Sequence, residues 1–294
     1  MFWVYKTGPD EPIRENYPFN TAVSSPRDAL NSFSTVVITG GSSGIGKSFI
    51  HLCAKLRPEL VFCNLSRRHP GEINSAERLN HFACDVSRPA DVDRAADEVI
   101  ALIEKEHKPG QILLINNSGF GSYGVFPEPD LLHQLEMIDV NIRGLIQLTG
   151  RMLPLLRERG GAIINVASTA AFQPTAYMAT YGATKAFVLH WSLALNEELR
   201  GTGVRALAVC PGPTSTEFFR RAGLKPGTAP DAMSMTVDDV VLQSLSALGA
   251  GRAQVVTGWK NKVIAFVSSK LPKPLAARVG RAVLARFRLS QVKK

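Results

Sequence analysis

The sequence predicts a doubly wound α/β fold, a parallel sheet held between two layers of helices. Short runs nearly continuous in apolar residues recur along the chain, and stretches of helical periodicity separate them. A glycine-rich turn joins the first apolar run to the first helical stretch. Runs that are apolar throughout, rather than alternating, suit strands buried on both faces, as in a parallel sheet covered by helices above and below. With 294 residues, 45% of them hydrophobic, the chain can bury a large core in one such domain plus appendages.

In chain order, residues 1–33 are rich in Pro, Asn, Ser and charge, and their lack of periodicity predicts an irregular arm. Strand signals follow at 35–38, 60–63, 81–84, 112–115, 162–166 and 204–209, and a run at 254–257 can supply a last strand. Between them, helices are expected at about 44–56, 89–107, 129–157, 177–200 and 236–249, the alternation of a doubly wound sheet. Beyond Trp259 the residues Val263, Phe266, Val267, Leu271, Leu275, Val279, Ala282, Val283 and Phe287 recur at helical spacing, with Pro272 and Pro274 dividing two amphipathic helices. The expected organisation is an arm at 1–33, a catalytic domain at 34–258 and a basic helical tail at 259–294.

Charge is unevenly placed. The net charge is +9, yet residues 252–294 hold eleven Lys and Arg and no acid, which leaves 23 bases against 25 acids in the remainder. A nucleic-acid binder would spread cations over its fold, so no nucleic-acid partner is expected and the tail needs its own account. Apolar burial and Lys/Arg attraction could act together on an anionic membrane; the other reading docks the helix pair on the enzyme or a subunit interface with its charges in water. The N-terminal segment lacks a charged start followed by an apolar run, and no uninterrupted apolar stretch is long enough to span a bilayer, so a cytoplasmic protein is expected, with at most peripheral membrane contact. Cys53, Cys63, Cys84 and Cys210 stand singly inside apolar runs, which predicts buried free thiols and no metal site.

Two motifs carry the chemistry. In Thr39-Gly40-Gly41-Ser42-Ser43-Gly44-Ile45-Gly46, between a strand and a helix, glycines let the chain turn tightly and bring backbone amides and a helix N-terminus against a pyrophosphate. Tyr181 and Lys185 lie four residues apart, on one face of a helix, so the ammonium can sit beside the phenol and favour its ionised form. A phenol of pKa about 10 would then serve as an acid at neutral pH. Ser168 stands thirteen residues before that tyrosine.

The glycine spacing, with three residues between Gly40 and Gly44, resembles that of the short-chain dehydrogenase/reductase family, and further segments resemble it in order. These are Ser66-Arg67-Arg68 after the second strand, Asp85-Val86 after the third, Asn116-Asn117-Ser118-Gly119 after the fourth, Asn141 in Asp139-Val140-Asn141, then Ser168, Tyr181 and Lys185, and Pro211-Gly212-Pro213-Thr214 with Thr216. The likeness covers roughly residues 35–260, with Ser118 in place of the usual alanine. It implies a three-layer Rossmann fold and an NAD(P)-dependent oxidoreductase that interconverts a carbonyl and an alcohol. Cofactor contacts are implied for Gly40, Ser42, Ser43, Gly44, Ile45, Gly46, Ser66, Arg67, Asp85, Val86, Asn116, Tyr181, Lys185, Pro211, Thr214 and Thr216.

The same resemblance makes Tyr181 the proton donor, sets Ser168 on the substrate oxygen, has Lys185 bind ribose and lower the phenol pKa, and gives Asn141 a water linking Lys185 to solvent. Where an acid would favour NAD stands Ser66, followed by Arg67 and Arg68, and a guanidinium pairs well with a ribose 2′-phosphate, so NADP is preferred to NAD. Segments 120–130 and 215–235 should border the substrate pocket. Phe120, Tyr123, Phe126, Phe172, Phe218, Phe219, Met233 and Met235 suggest a hydrophobic substrate, with Tyr177 as a wall or packing residue. Relatives commonly pair through the helices expected at 129–157 and 177–200, which implies a homodimer or homotetramer. The alternative, a catalytically silent NADP(H)-binding sensor or interaction protein, sits poorly with an intact Ser168, Tyr181 and Lys185.

Overall fold

A computed structural model describes residues 25–292 apart from 74–75, 77, 215–217, 219–221 and 223–233. Thr216, Phe219 and Met233 therefore lie outside the described residues, as do most of the arm and the side chain of Phe287. The strands are β1 (Phe33–Thr39), β2 (Val61–Ser66), β3 (Leu79–Ala83), β4 (Gln111–Asn116), β5 (Gly161–Val166), β6 (Val204–Cys210) and β7 (Gln254–Val256). All pair in parallel in the order β3-β2-β1-β4-β5-β6-β7, with Val36 opposite both Phe62 and Leu113. The central strands are buried residue after residue, which is why their sequences are continuously apolar.

Helices cover both faces. On one, α1 (Gly44–Leu56) and α6 (Val237–Gly249) bury Phe49, Ile50, Val241 and Leu245 against the sheet. On the other, α2 (Pro89–Glu106), α4 (Gly144–Arg159) and α5 (Ala179–Glu198) bury Val99, Met152, Leu156 and Leu195. All four cysteines are buried, and burial pushes their thiols up, Cys53 and Cys63 to about 12. Among the described residues no helix is long and apolar enough to cross a membrane.

Three local features differ from the sequence expectation. The end of the supposedly irregular arm is ordered: residues Asp28–Leu30 form a 3-10 turn whose Ala29 and Leu30 are buried, because apolar side chains next to β1 can share its core. The helix expected at 129–157 is not uniform. It begins with α3 (Leu131–Ile138), capped by Asp130 Oδ1 accepting from His133 N at 2.8 Å, and passes through a π-helical segment, Asp139–Arg143, into α4.

The tail forms α7 (Trp259–Lys270) and α8 (Lys273–Val292), with Leu271 extended as the residue before a proline tends to be. Its packing inverts the ordinary amphipathic arrangement. Small or polar residues, Asn261, Ala265 and Ala276, face the body, while Trp259, Val263, Phe266, Val267, Leu275, Val279 and Val283 are exposed. The pair is tied down by Asn261 Nδ2 donating to Thr257 O (2.9 Å), Lys273 Nζ to Phe172 O (3.3 Å) and Tyr123 Oη to Leu284 O (2.6 Å).

Candidate active site

Strand order reverses between β1 and β4: α1 leaves toward one face of the sheet and α3–α4 toward the other. This leaves a crevice at the carboxyl ends of the strands, the usual ligand position in such folds. A cleft of about 390 Å³ lies there. Of the residues singled out from sequence, Gly40, Ser42, Ser43, Gly44, Ile45, Ser66, Arg67, Asp85, Val86, Ser168, Tyr181, Lys185, Pro211 and Thr214 line it. Gly46, Asn116 and Asn141 do not.

The turn after β1 is shaped by close approach. Gly40 has φ +70°, where a Cβ is strained, and a Cβ at Gly46 would stand 2.4 Å from Gly40 O, so Gly46 serves helix-to-turn packing rather than the cleft surface. Asn64, buried in β2, accepts from Gly41 N (2.9 Å) and donates to Ser66 Oγ (2.9 Å), which in turn donates to Arg68 O (2.7 Å). Nothing in the pattern marks Asn64, yet it couples the glycine turn to the arginine loop. From the other side Thr39 Oγ1 accepts from Asn117 N and Ser118 N, both at 3.0 Å. Ser43, the N-cap of α1, makes no side-chain capping bond, and the first turn of α1 holds no acid. Amides, a helix N-terminus and two serine hydroxyls therefore face the cleft there, a donor set that fits a pyrophosphate.

At the next station Arg67 and Arg68 line the cleft. Arg67 is largely exposed and, among the described residues, its ion pairs are long, 3.9 Å to Asp85 Oδ2 and 3.9 Å to Glu136 Oε1, so its guanidinium can turn toward an added anion. Burial raises the Asp85 carboxyl, but the Ser87 hydroxyl (2.7 Å) and amide (3.0 Å), with Arg67 nearby, hold it below the ordinary carboxylate value. Asn116 turns away from this surface. Its Nδ2 donates to Thr149 Oγ1 (2.9 Å) and Asn165 Oδ1 (2.8 Å) in a buried network, and the adjacent Asn117, Ser118 and Gly119 take the cleft face.

Ser168 caps the 3-10 turn Thr169–Phe172, its Oγ accepting from Ala170 N at 3.1 Å. Tyr181 and Lys185 occupy successive turns of α5 and are both buried, and the nearby Ser168 side chain acts to lower the phenol pKa. The expected lowering of the phenol pKa by Lys185 is not what this arrangement produces. Burial pushes Tyr181 up to about 12, only partly offset by Ser168. Lys185 Nζ instead donates to Val166 O (2.7 Å), 6.0 Å from the Tyr181 ring centroid, and burial brings the lysine itself down to about 8. Desolvation is the largest influence on both groups.

Asn141 lies in the π-helical segment, a distortion often found at functional sites. Its side chain is engaged at both ends, Oδ1 accepting from Phe120 N (3.1 Å) and Nδ2 donating to Phe120 O (3.0 Å) and Thr184 Oγ1 (3.0 Å), which leaves Oδ1 one further acceptor position. Asn141 Oδ1 and Lys185 Nζ both crowd Gly119, whose Cβ would stand 3.0 and 3.2 Å from them.

Apolar groups line the far end: Phe120, Met178, Phe218 and Leu284, with Phe218 5.2 Å from Tyr181 between ring centroids. Several of the apolar residues expected there are elsewhere. Phe172 packs under α5 and Met235 against the main core, while Phe126 is exposed on a neighbouring cavity of about 190 Å³ that Tyr177 and Arg281 also line. Leu284, from the tail, is an addition that no sequence motif signals, because helical periodicity does not say which residue of a remote helix meets a cleft.

Residues 34–226 match the short chain dehydrogenase family. A serine 3-dehydrogenase of Agrobacterium fabrum is 32% identical over 194 residues, 63% of this chain and 73% of that protein. A short-chain dehydrogenase from Sphingobium yanoikuyae, solved with NADPH, is 30% identical with a TM-score of 0.67, over 89% of this chain and 97% of that one. A 3-ketoacyl-(acyl-carrier-protein) reductase from Brucella melitensis, solved with NADH, is 25% identical with a TM-score of 0.65, over 76% and 95%. With the parallel sheet, the glycine turn and the Ser168–Tyr181–Lys185 cluster in one cleft, these matches place the chain in the short-chain dehydrogenase/reductase family of oxidoreductases, which act on CH–OH and carbonyl groups.

Proposed function

We propose that this oxidoreductase uses NADP(H) to interconvert a carbonyl and an alcohol on a small hydrophobic substrate, with Tyr181 as acid/base. One observation carries the reading: a single cleft has two arginines and a donor-rich glycine turn at one end, and Tyr181 with Ser168 beside apolar Phe218 and Leu284 at the other. When bound, the nicotinamide supplies the hydride. In the reduction direction a phenol near 12 is protonated at neutral pH, the form needed to donate. The Ser168 hydroxyl hydrogen-bonds the substrate oxygen. As hydride reaches the carbon, that oxygen becomes an alkoxide more basic than the phenolate, and the Tyr181 proton moves to it. Lys185, near 8, exchanges protons readily at neutral pH and can recharge the tyrosine, with Asn141 holding the water that connects it to solvent.

NADP preference is supported by Arg67 and Arg68 on the cleft and by a Ser66 hydroxyl committed to Arg68 O where an acid would contact the ribose. A homodimer or homotetramer through α4 and α5 belongs to the same reading, supported by exposed Ile146 and Phe187 on those helices. The test is calorimetric titration of NADPH and NADH into wild type, Arg67→Ala and Tyr181→Phe. Wild type should prefer NADPH by about tenfold or more through a charge-assisted contact worth roughly 1.5–3 kcal/mol, and Arg67→Ala should lose that preference. Tyr181→Phe should keep binding and lose about 10²-fold or more in turnover. An NADH preference untouched by Arg67→Ala removes the cofactor assignment, and an active Tyr181→Phe removes the acid.

A further inference from the structure

The tail helices hold to the body by their smallest residues, Ala265, Ala276 and the partly buried Gly280, and, Leu284 apart, leave most of their large described side chains outside. On α7, Trp259 is 71% exposed, Phe266 65% and Val263 55%, with Val267 on the same face. On α8, Leu275, Val279 and Val283 repeat at four-residue spacing and are each about half exposed. Leaving such side chains in water forgoes burial that the fold could have used, and an exposed apolar patch of this extent rimmed by charge marks an interaction surface.

The charges that the tail brings to this rim are of one sign. Residues 252–294 contain eleven Lys and Arg and no Asp or Glu. Lys260 Nζ lies 5.8 Å over the Trp259 ring and Lys270 Nζ 5.7 Å over Phe266, so cations border the apolar face directly. Arg281 continues the rim to the cavity beside Val125 and Phe126, both exposed as well.

We infer that α7 and α8 are a docking surface for an anionic lipid bilayer. A second copy of this chain would bring like charge against like charge with no tail acid to pair. A nucleic acid offers phosphates but little that would bury Val263, Phe266, Val267 and Val279. An anionic membrane supplies both halves, an apolar layer for these side chains and negative head groups for the lysines, and aromatic-cation pairs such as Trp259 with Lys260 suit its interface. Because α8 also carries Leu284 into the cleft, docking would set the mouth of the substrate site beside the lipid; that consequence rests on the reductase reading, whereas the docking does not.

The experiment is co-sedimentation of the full chain with vesicles of phosphatidylcholine alone or with about one-third phosphatidylglycerol, at low and high salt, with Trp259 emission followed in parallel. Binding to the anionic vesicles only, weakened by salt, with a blue-shifted emission that Trp259→Phe abolishes, is the expected result. Lys260→Ala combined with Lys270→Ala should lower the partition coefficient about 30-fold, since each surface cation contributes about one kcal/mol. Val263→Ser with Phe266→Ser should lower it at unchanged charge, and since these side chains are exposed, NADPH binding should persist as proof of fold. The inference is overturned by wild type that ignores anionic vesicles, by tail variants that bind them like wild type, or by tail variants that only dissociate an oligomer.

Discussion

Lys185 is a buried cation whose pKa burial lowers from 10.5 to about 8, with only a small opposing contribution from Cys210, and this makes it a measurable burden on stability. Below pH 8 the lysine is charged in both states, and the drop is worth about 3 kcal/mol against folding. Between about 8 and 10.5 the unfolded chain binds the extra proton, so stability rises with pH across that window as the burden lifts. Lys185→Met removes the titration. It also loses the Nζ–H donated to Val166 O, but that loss is nearly independent of pH and cancels when two pH values are compared. The wild-type-minus-variant difference in unfolding free energy, from urea melts at about pH 6.5 and about pH 9.5, should therefore change by about 2 kcal/mol in favour of wild type at the higher pH. The Tyr181 phenol, pushed up to about 12 by burial, stays protonated in the folded protein at both pH values, and its titration in the unfolded chain is common to wild type and variant. A difference that is the same at both pH values would refute the picture of a desolvated lysine, and with it a lysine able to exchange protons at neutral pH.

Gly46→Ala would drive a methyl to 2.4 Å from Gly40 O and 2.5 Å from Asn117 Nδ2. The expected outcome is a stability loss of about 1–3 kcal/mol with NADPH binding weakened tenfold or more; a variant that binds normally would show that the turn need not keep this geometry. Tyr123→Phe removes the 2.6 Å bond to Leu284 O, and a net loss of about 1 kcal/mol predicts roughly fivefold faster amide exchange along α8, with unchanged rates counting against the tether.

Much of the fold was legible in the sequence because parallel strands write themselves as apolar runs. The segment at 204–209 needed no partner to be recognised, and α1 begins where the glycine turn ends. The positions of Ser168, Tyr181, Lys185, Arg67 and the glycine turn in one cleft were likewise readable, through spacing and resemblance. The π-helical segment around Asn141 was not, since a single i→i+5 turn inside a helix carries no residue signature of its own. Asn64 looked like one polar residue in a strand until Gly41 and Ser66 closed around it.

By itself, then, the sequence determined the layers, the strand-helix order and the residue types gathered in the cleft, because backbone periodicity and turn chemistry are local properties. Three matters were decided only when the chain closed on itself: that burial, not Lys185, dominates the Tyr181 phenol; that Leu284 from the tail reaches the cleft; and that α7 and α8 otherwise turn small residues inward and leave Trp259, Phe266 and a row of valines out. The physical reason is the same for each. Desolvation and close approach depend on atoms brought in from distant segments, and no spacing along the chain records them.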